Sequence, residues 1–232
     1  MLHRQAASNE KTGTRRDAVR AAIDEVGIVP IIRDSSPEDA VFAAESLQGG
    51  GIPIVEVTMT VPGAIKVLLE LTTGDRELIV GAGSVLDVEM ARECMDAGAM
   101  FLASAGFDRE IVEFAAQHDL VVVPGAMTPT EIMAAWKARP DFIRVFPCSN
   151  VGGASYIRDL RRPFPHLPLI AAGGVNQQTA GDFFQAGASA ISLGGELLPR
   201  EAIDLRQEKR ILELARRYRM IARHHRIASA VN

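Results

Sequence analysis

Lysine is scarce in this sequence. Of the 25 residues that are lysine or arginine in the chain of 232, 21 are arginines and only four are lysines, Lys11, Lys66, Lys137 and Lys209. A lysine can supply the neutral amine that Schiff-base chemistry needs, whereas the guanidinium group of arginine keeps its proton. Any mechanism that uses an amine nucleophile is therefore restricted to four positions.

Cysteines and long apolar runs are also few or missing. Two cysteines, Cys94 and Cys148, cannot form a disulfide framework or a zinc-finger array. No run approaches the ~18 apolar residues of a membrane span. The stretch Met1–Arg20 is polar and lacks the apolar core of a secretory signal. We therefore expect a cytoplasmic protein that does not contact a membrane.

Neither sign of charge dominates the chain. The 25 basic and 29 acidic residues leave a formal charge of −4, which does not indicate a nucleic-acid partner. Apolar residues make up 47% and charged residues 23%, which is typical of a folded protein and excludes intrinsic disorder. We expect a flexible N-terminal segment with a candidate leading helix at residues 1–20, followed by one folded domain at 21–232.

Eight short runs rich in Val and Ile recur along the chain, each followed by glycine, proline or polar residues. They are Ile28–Arg33, Pro53–Val57, Leu78–Gly81, Met100–Ala103, Leu120–Val123, Phe142–Phe146, Leu167–Ala171 and Ala188–Leu193. Such runs are typical of parallel strands that are buried on both faces, and amphipathic stretches lie between them. Eight strand–helix units predict a single-domain α/β fold, the (β/α)8 TIM barrel, with a doubly wound open sheet as the alternative.

The last stretch of the chain, from about Glu201 to Ala228, is predicted to form one long helix. Ile211, Leu214, Tyr218 and Ile221 form an apolar stripe at helical spacing. We interpret this stripe as facing the core and the arginines beside it as a solvated face. An interaction surface is the alternative.

In a TIM barrel the active site lies at the C-terminal ends of the strands. The segments at these ends are Arg33–Asp34, Glu56–Val57–Thr58, Gly81–Ala82–Gly83–Ser84, Ser104–Ala105–Gly106, Pro124–Gly125–Ala126, Arg144 with Phe146–Pro147–Cys148, Ala172–Gly173–Gly174 and Gly194–Gly195–Glu196. Their polar residues are expected to converge on one pocket.

Several motifs occur in a characteristic order between about Val29 and Leu197. They include Pro30–Ile31–Ile32–Arg33, Glu56–Val57–Thr58, Gly81–Ala82–Gly83–Ser84–Val85–Leu86, Thr128–Pro129–Thr130–Glu131, Phe146–Pro147, Gly173–Gly174–Val175 and Gly194–Gly195. In this order the chain resembles the family of 2-keto-3-deoxy-6-phosphogluconate (KDPG) and 4-hydroxy-2-oxoglutarate (KHG) aldolases. The resemblance implies a TIM barrel that is usually trimeric. It also implies class I aldol cleavage to pyruvate and an aldehyde such as glyceraldehyde 3-phosphate.

The resemblance also implies roles for individual residues. It places the Schiff-base lysine two residues before the Phe-Pro motif, where this chain has Arg144. Glu56 matches the family's general acid/base, and Arg33 matches a site arginine. Ser84 replaces a threonine but keeps a hydroxyl, and Phe146 keeps an aromatic wall.

Other positions depart from the family pattern. Thr60, two residues after Thr58, stands where the family usually has an arginine that meets the substrate carboxylate. The family holds phosphate with the loops that contain Gly173–Gly174 and Gly194–Gly195, and usually has a serine where this chain has Glu196. A carboxylate at that position would repel phosphate.

The residues themselves leave alternatives open. Glu56 is interpreted as a catalytic base, a ligand-binding acid or half of a structural ion pair. Arg144 is a clamp for a substrate carboxylate, or it pairs with Glu56 or Glu196. Glu196 is a helix cap or a contact to a hydroxyl, an amine or a metal. Cys148 and Trp136 are interpreted as packing residues.

Taken together, these observations predict a lyase of the aldolase family that acts on a small 2-keto acid without the usual Schiff-base route. One alternative is a keto-acid-binding or sensor protein on the same barrel, and another is a structural role. A third is a lyase assisted by a divalent metal, with Glu56, Glu196 and Asp34 as oxygen ligands. Apart from that metal, no cofactor is expected. The expected partners are the keto acid and further copies of the chain.

Overall fold

The computed structural model describes residues 13–33 and 36–230, in which parallel strands form a barrel surrounded by helices. The strands are β1 Ile28–Ile32, β2 Ile54–Thr58, β3 Ile79–Gly83, β4 Phe101–Ala103, β5 Val121–Val123, β6 Gly125–Ala126, β7 Ile143–Val145, β8 Leu169–Ala172 and β9 Ala190–Leu193. The helices are α1 Arg15–Val26, α2 Pro37–Gly49, α3 Ala64–Thr72, α4 Val88–Asp96, α5 Arg109–Gln117, α6 Pro129–Lys137, α7 Ala154–Arg161, α8 Ala180–Gln185, α9 Arg200–Asp204 and α10 Glu208–Ala230.

The sheet closes on itself through a strand that is interrupted by a proline. The strand order is β5-β4-β3-β2-β1-β9-β8-β7-β6, and β5 and β6 are separated in the chain only by Pro124. Proline has no N–H to donate to a neighbouring strand, but its carbonyl accepts from the Arg144 N–H at 2.9 Å. The nine segments therefore form an eight-stranded barrel, which confirms the predicted (β/α)8 fold and excludes the open sheet.

The register between strands fixes which side chains point into the barrel. Ile31 of β1 pairs with Glu56 of β2, which pairs with Gly81 of β3. Gly81 in turn pairs with Phe101 of β4, whose ring lies 2.3 Å from where a Cβ on Gly81 would be. A glycine at position 81 thus gives the ring space inside the barrel, in the same layer as Glu56.

Helices α2 and α6 begin at signals that the sequence contains. The side chain of Ser36 accepts from the backbone N–H of Asp39 at 3.1 Å, and Pro37 occupies the first turn. At α6, Thr128 and Glu131 form a capping box. Backbone N–H donors there lower the pKa of the Glu131 carboxyl. These caps start both helices close to the ends of the preceding strands.

The long C-terminal helix predicted from about Glu201 is divided into α9 and α10. Arg206 lies between them with φ 50, a left-handed conformation that ends the hydrogen-bond ladder of α9. Its guanidinium pairs with Asp39 at 3.0 Å and lies 4.8 Å from the centroid of the Phe42 ring. The prediction of one continuous helix was wrong because these tertiary contacts stabilise a turn at Arg206.

Helix α10 packs across α2 and α8, with its apolar stripe turned toward them. Ile211 and Tyr218 are fully buried as predicted, but Leu214 and Ile221 are only half-buried. The close contact requires Gly50, because a Cβ there would lie 2.4 Å from the Cβ of Ala215. Along 13–33 and 36–230, no helix is both long and apolar enough to cross a membrane.

Helix α1 is anchored to the N-terminal end of the barrel. The guanidinium of Arg16 donates to both carboxylate oxygens of Asp141, with Nε–Oδ1 at 2.9 Å and Nη2–Oδ2 at 3.0 Å. Asp141 also accepts from the backbone N–H of Val122 at 2.8 Å. The predicted N-terminal segment, residues 1–20, therefore overlaps α1, and its first twelve residues lie outside the described part of the chain.

Candidate active site

A cavity of about 270 Å³ opens at the C-terminal ends of the strands. It is lined by Ile31, Arg33, Glu56, Thr58, Thr60, Ser84, Ser104, Ala105, Arg144, Phe146 and Ala172. Seven of these residues are candidates that the sequence identified, and they come from the ends of different strands. The barrel thus brings together side chains that are far apart in the chain.

Glu56 and Arg144 form a buried ion pair in this cavity. Arg144 Nη1 donates to Glu56 Oε1 at 2.9 Å, and Nη2 donates to Oε2. Glu56 is 1% and Arg144 is 6% exposed, so the two charges neutralise each other with little help from water. Of the partners left open for Arg144, the structure has Glu56 and not Glu196.

One donor of Arg144 is still unused. Its Nε is buried and has no hydrogen-bond partner among the described residues. A buried N–H without an acceptor destabilises the protein, so this donor lowers the stability of the folded chain.

Hydroxyl groups also line this cavity. The Thr58 and Thr60 hydroxyl oxygens are 2.6 Å apart, and the Thr58 hydroxyl donates to the carbonyl of Ile32 at 3.3 Å. Thr60 is therefore the donor in the pair, because a hydroxyl has one proton. Ser84 has φ 58, an uncommon conformation for a residue with a side chain, and lines the cavity.

A second cavity, of about 400 Å³, adjoins the first. Both are lined by Ile31, Arg33, Phe146 and Ala172. The second also contains the predicted phosphate-loop residues Gly173, Gly174, Gly194, Gly195 and Glu196. All the candidate substrate contacts therefore lie around one mouth of the barrel.

One serine of this mouth, Ser192, was not predicted from the sequence, whereas Ser104 was among the polar residues expected at the strand ends. Ser192 lines the second cavity, and its hydroxyl is buried with no partner in the described parts of the chain. Ser104 lines the first cavity and donates to the carbonyl of Gly106 at 2.7 Å. The period-two alternation of a strand could have identified Ser192, because it lies two residues before Gly194 and on the same face.

Glu196 faces the second cavity and does not cap a helix. Helix α9 begins only at Arg200, after Pro199. The intervening turn is closed by the N–H groups of Leu197 and Leu198, which both donate to the carbonyl of Gly194 at 2.9 Å. The Glu196 side chain is exposed, so its negative charge is presented to any ligand in this cavity.

No described lysine lies near this mouth. Lys66 on α3, Lys137 on α6 and Lys209 on α10 are all exposed and line neither cavity. Lys11 lies outside the described residues. The nitrogen groups that line the two cavities are therefore the guanidinium groups of Arg33 and Arg144, together with backbone amides.

Of the three oxygen ligands suggested for a metal, Asp34 lies outside the described residues. Glu56 is occupied by Arg144 at 2.9 Å. The described residues contain no group of three or more His, Cys, Asp or Glu side chains placed to hold a metal ion. A metal-assisted reaction stays a prediction.

Both cysteines are buried, and stability is expected to fall at alkaline pH. Burial raises the pKa of Cys94 from 9.0 to about 12 and that of Cys148 from 9.0 to about 11. Above pH 9 the unfolded chain loses these protons first, so each thiol lowers the free energy of unfolding by about 1.4 kcal/mol per pH unit until its folded pKa is reached. Denaturant unfolding between pH 8 and 11 measures this slope. A Cys94→Ala/Cys148→Ala variant with an equal slope would contradict the assignment.

Gly83→Ala is expected to disturb the ion pair. A Cβ at this position would lie 2.2 Å from Glu56 Oε1, so the carboxylate must move away from Arg144. We expect a loss of about 1–3 kcal/mol in the free energy of unfolding. Gly106→Ala is the control, because nothing lies within 4 Å of its added Cβ. Equal losses in the two variants would show that Gly83 has no special relation to Glu56.

Comparison with known proteins identifies the family. The family described as KDPG and KHG aldolase matches residues 19–214. The KHG/KDPG aldolase of Escherichia coli (strain K12) is 30% identical over 190 residues, which cover 82% of this chain and 89% of the relative. The 2-dehydro-3-deoxy-phosphogluconate aldolase of Treponema pallidum is 29% identical over 183 residues, covering 78% of this chain and 87% of the relative.

A solved structure agrees with this result. The KDPG aldolase from Legionella pneumophila, with pyruvate captured at low pH as a covalent carbinolamine intermediate, has a TM-score of 0.79 and 27% identity, covering 85% of this chain and 96% of that one. The matched region, 19–214, contains all nine strand segments and both cavities. This chain therefore belongs to the KDPG and KHG aldolase family.

Proposed function

We propose that this chain is a carbon–carbon lyase that cleaves a small 4-hydroxy-2-keto acid to pyruvate and an aldehyde without forming a Schiff base. The observation that carries the proposal is the pair of Glu56 and Arg144 at 2.9 Å, in a cavity that contains no described lysine. Membership of the family supports the reaction class. The guanidinium at position 144 supports a route without an imine, because it does not lose its proton.

The residues of the cavity can divide the reaction between them. The positive charge of Arg33 binds the substrate carboxylate, and the positive charge of Arg144 attracts the oxygen on C2. Glu56 accepts the proton of the C4 hydroxyl as the C3–C4 bond breaks. The bonding electron pair then forms the enolate of pyruvate, whose oxygen is stabilised by Arg144. Glu56 returns the proton to C3, which completes pyruvate beside the aldehyde.

A second candidate function is binding of a keto acid without turnover. Both terminal nitrogens of Arg144 donate to Glu56, so the carboxylate that the lyase route uses as a base is already held in an ion pair. On this candidate the guanidinium of Arg33 and the hydroxyls of Thr58 and Thr60 recognise the ligand, and no bond is broken.

The two candidates differ in whether pyruvate is released. The purified chain is incubated with 4-hydroxy-2-oxoglutarate or KDPG, and pyruvate is measured with lactate dehydrogenase, with added EDTA, Mg²⁺ or Mn²⁺. We expect release by the wild type and its loss in Glu56→Gln, with circular dichroism checking the fold. Release that requires a metal would favour the metal-assisted route. Thermal stabilisation by pyruvate without any release would establish the binding function instead.

A separate measurement tests the absence of a Schiff base. The wild type is treated with borohydride in the presence of pyruvate, and the intact mass is determined. We expect no adduct, because the described lysines are exposed on helices away from the cavity. A stable adduct on any lysine would overturn the proposed route while leaving the lyase activity in place.

We further propose that the chain is a cytoplasmic homotrimer, as the family resemblance implies. Light scattering on the purified protein is expected to give three times the mass of one chain. A mass equal to a single chain at working concentrations would refute the trimer.

A further inference from the structure

The opposite end of the barrel carries a larger cavity, of about 760 Å³. This basal cavity lies between α1, the C-terminal ends of α5 and α6, and the segments that lead into β7 and β8. Its lining includes Arg20, Trp136, Lys137, Arg139 and Asp141. It shares no residue with the two cavities of the candidate active site. Its volume is in the range of pockets that bind small molecules, about 300–1,000 Å³.

The acidic residues of the basal cavity are engaged within the protein. Asp141 binds Arg16 through two oxygens, at 2.9 and 3.0 Å. Asp119 accepts from the backbone N–H of Arg16 at 3.4 Å. Asp17 accepts from the backbone N–H of Thr14 at 3.1 Å, as part of the cap of α1. These three carboxylates stabilise the lining of the basal cavity. Fewer of their oxygen atoms therefore remain to accept a hydrogen bond from a ligand.

Three cationic side chains of the basal cavity differ from these carboxylates in their contacts. Arg20, Lys137 and Arg139 are exposed. Along the described ranges, none of their side chains makes a hydrogen bond or an ion pair. The lining contains four cationic and three acidic side chains, a net charge of +1, and Arg16 is the cation that a carboxylate holds, that of Asp141. Such an arrangement attracts an anion.

The backbone that presents these charges is unusual. Asp119 follows α5 with φ 55, and Arg139 follows α6 with φ 58, both in the left-handed region. At the ends of α1, α4 and α8 the chain uses Gly27, Gly98 and Gly187 in that conformation, with φ of 69, 91 and 98. Glycine adopts it without strain, whereas a residue with a Cβ does not. Arg206 adopts the same conformation in a structural turn, so the point of interest is that two such residues, Asp119 and Arg139, line one cavity.

The cavity also has an aromatic wall. Trp136, interpreted from the sequence as a packing residue, is 43% exposed, so part of its indole is open to a ligand. It lies next to Lys137, and Pro140 and Pro168 supply further apolar surface. An exposed indole beside cations can stack on a planar ring while the cations bind attached phosphates.

We propose that the basal cavity binds a nucleoside phosphate. Its phosphates contact Arg20, Lys137 and Arg139, and its base lies against Trp136. The proposal rests on the volume of the cavity, the unpaired cations, the two left-handed residues and the exposed indole. It does not depend on the reaction at the other end of the barrel, so either proposal can fail without the other.

Trp136 makes the test direct, because it is the single tryptophan of the chain. Its fluorescence is titrated with ATP, adenosine, inorganic triphosphate and pyruvate at two salt concentrations. We expect saturable quenching by ATP that weakens at higher salt, displacement of ATP by triphosphate, and much weaker quenching by adenosine. Absence of saturation with ATP, or an equal response to pyruvate, would overturn the proposal.

Variants separate binding from folding. Arg139→Gly removes a cation and relieves the left-handed strain, so the variant should be at least as stable as the wild type. We expect it to weaken ATP binding about fivefold or more, and Arg20→Ala/Arg139→Gly to weaken it further. Lys209→Ala removes an exposed cation of α10 outside the cavity and is the matched control. Equal affinities of the control and the double variant would contradict the proposed site.

Discussion

Arg144→Met is expected to lower the free energy of unfolding by about 3–5 kcal/mol, because it leaves a buried carboxylate without its counter-ion. Glu56 is 1% exposed, and Arg144 is its ion-pair partner in the barrel. Water cannot replace the lost guanidinium without entering the cavity. Denaturant unfolding at neutral pH measures the loss.

The double variant distinguishes a missing charge from a packing defect. Glu56→Leu/Arg144→Met removes both charges, so its stability is expected to lie within about 1 kcal/mol of the wild type or above it. Arg76→Met is the control for an exposed pair, since Arg76 and Glu45 have side-chain exposures of 31% and 50%. It is expected to cost less than about 1 kcal/mol. If Arg144→Met lost no more stability than Arg76→Met, water would have to reach the pair of Glu56 and Arg144.

Arg144→Lys is expected to give the barrel a Schiff base that the wild type does not form. The new amine would lie beside Glu56, which can accept its proton, in the position that the family resemblance assigns to the imine-forming lysine. Borohydride treatment with pyruvate should yield an adduct at position 144 approaching one per chain. Pyruvate release from the hydroxy keto acid should rise above that of the wild type, because the imine provides an electron sink that the guanidinium does not. Intact mass, peptide mapping and the coupled assay measure these outcomes.

Arg33→Lys is the matched control for the Schiff base expected in Arg144→Lys. Arg33 also lines the cavity, so the variant places an amine at the same mouth but away from Glu56's ion-pair position. We expect no adduct from it. Adducts in both variants would show that any amine at the mouth of the barrel can form the Schiff base. If neither variant gave an adduct, the cavity would not admit pyruvate in a reactive orientation.

The barrel could be predicted from the sequence because its strands are buried on both faces and therefore appear as short apolar runs. The run Ile28–Arg33, for example, corresponds to β1 at Ile28–Ile32. The interruption at Pro124 was not predicted, although a proline without an N–H carried the signal. The turn at Arg206 could not be predicted, since it depends on Asp39 and Phe42, which lie far away in the sequence.

The sequence predicted which residues line the candidate site, but it did not predict which residue pairs with Arg144. Residues in the C-terminal halves of strands, or just after them, meet at one end of a barrel, and this brought Glu56, Thr58, Ser84 and Arg144 together. The choice of Glu56 over Glu196 as the partner of Arg144 depends on distances across the barrel, which no local pattern encodes. The basal cavity was missed for a related reason, because it forms where helices from both halves of the chain meet.

The pairing of β1 with β9 and the packing of α10 bear on how the chain folds as it is synthesised. The first strand, β1, pairs with the last, β9, and α10 then packs over α2 and α8 and donates from Arg219 to the carbonyl of Val26 at 3.0 Å. A ribosome releases the N-terminal strands first, so the unpaired edge of β1 remains open until nearly the whole chain has emerged. The barrel can therefore close only after β9 has emerged, and until then the edge of β1 is a place where another strand could pair.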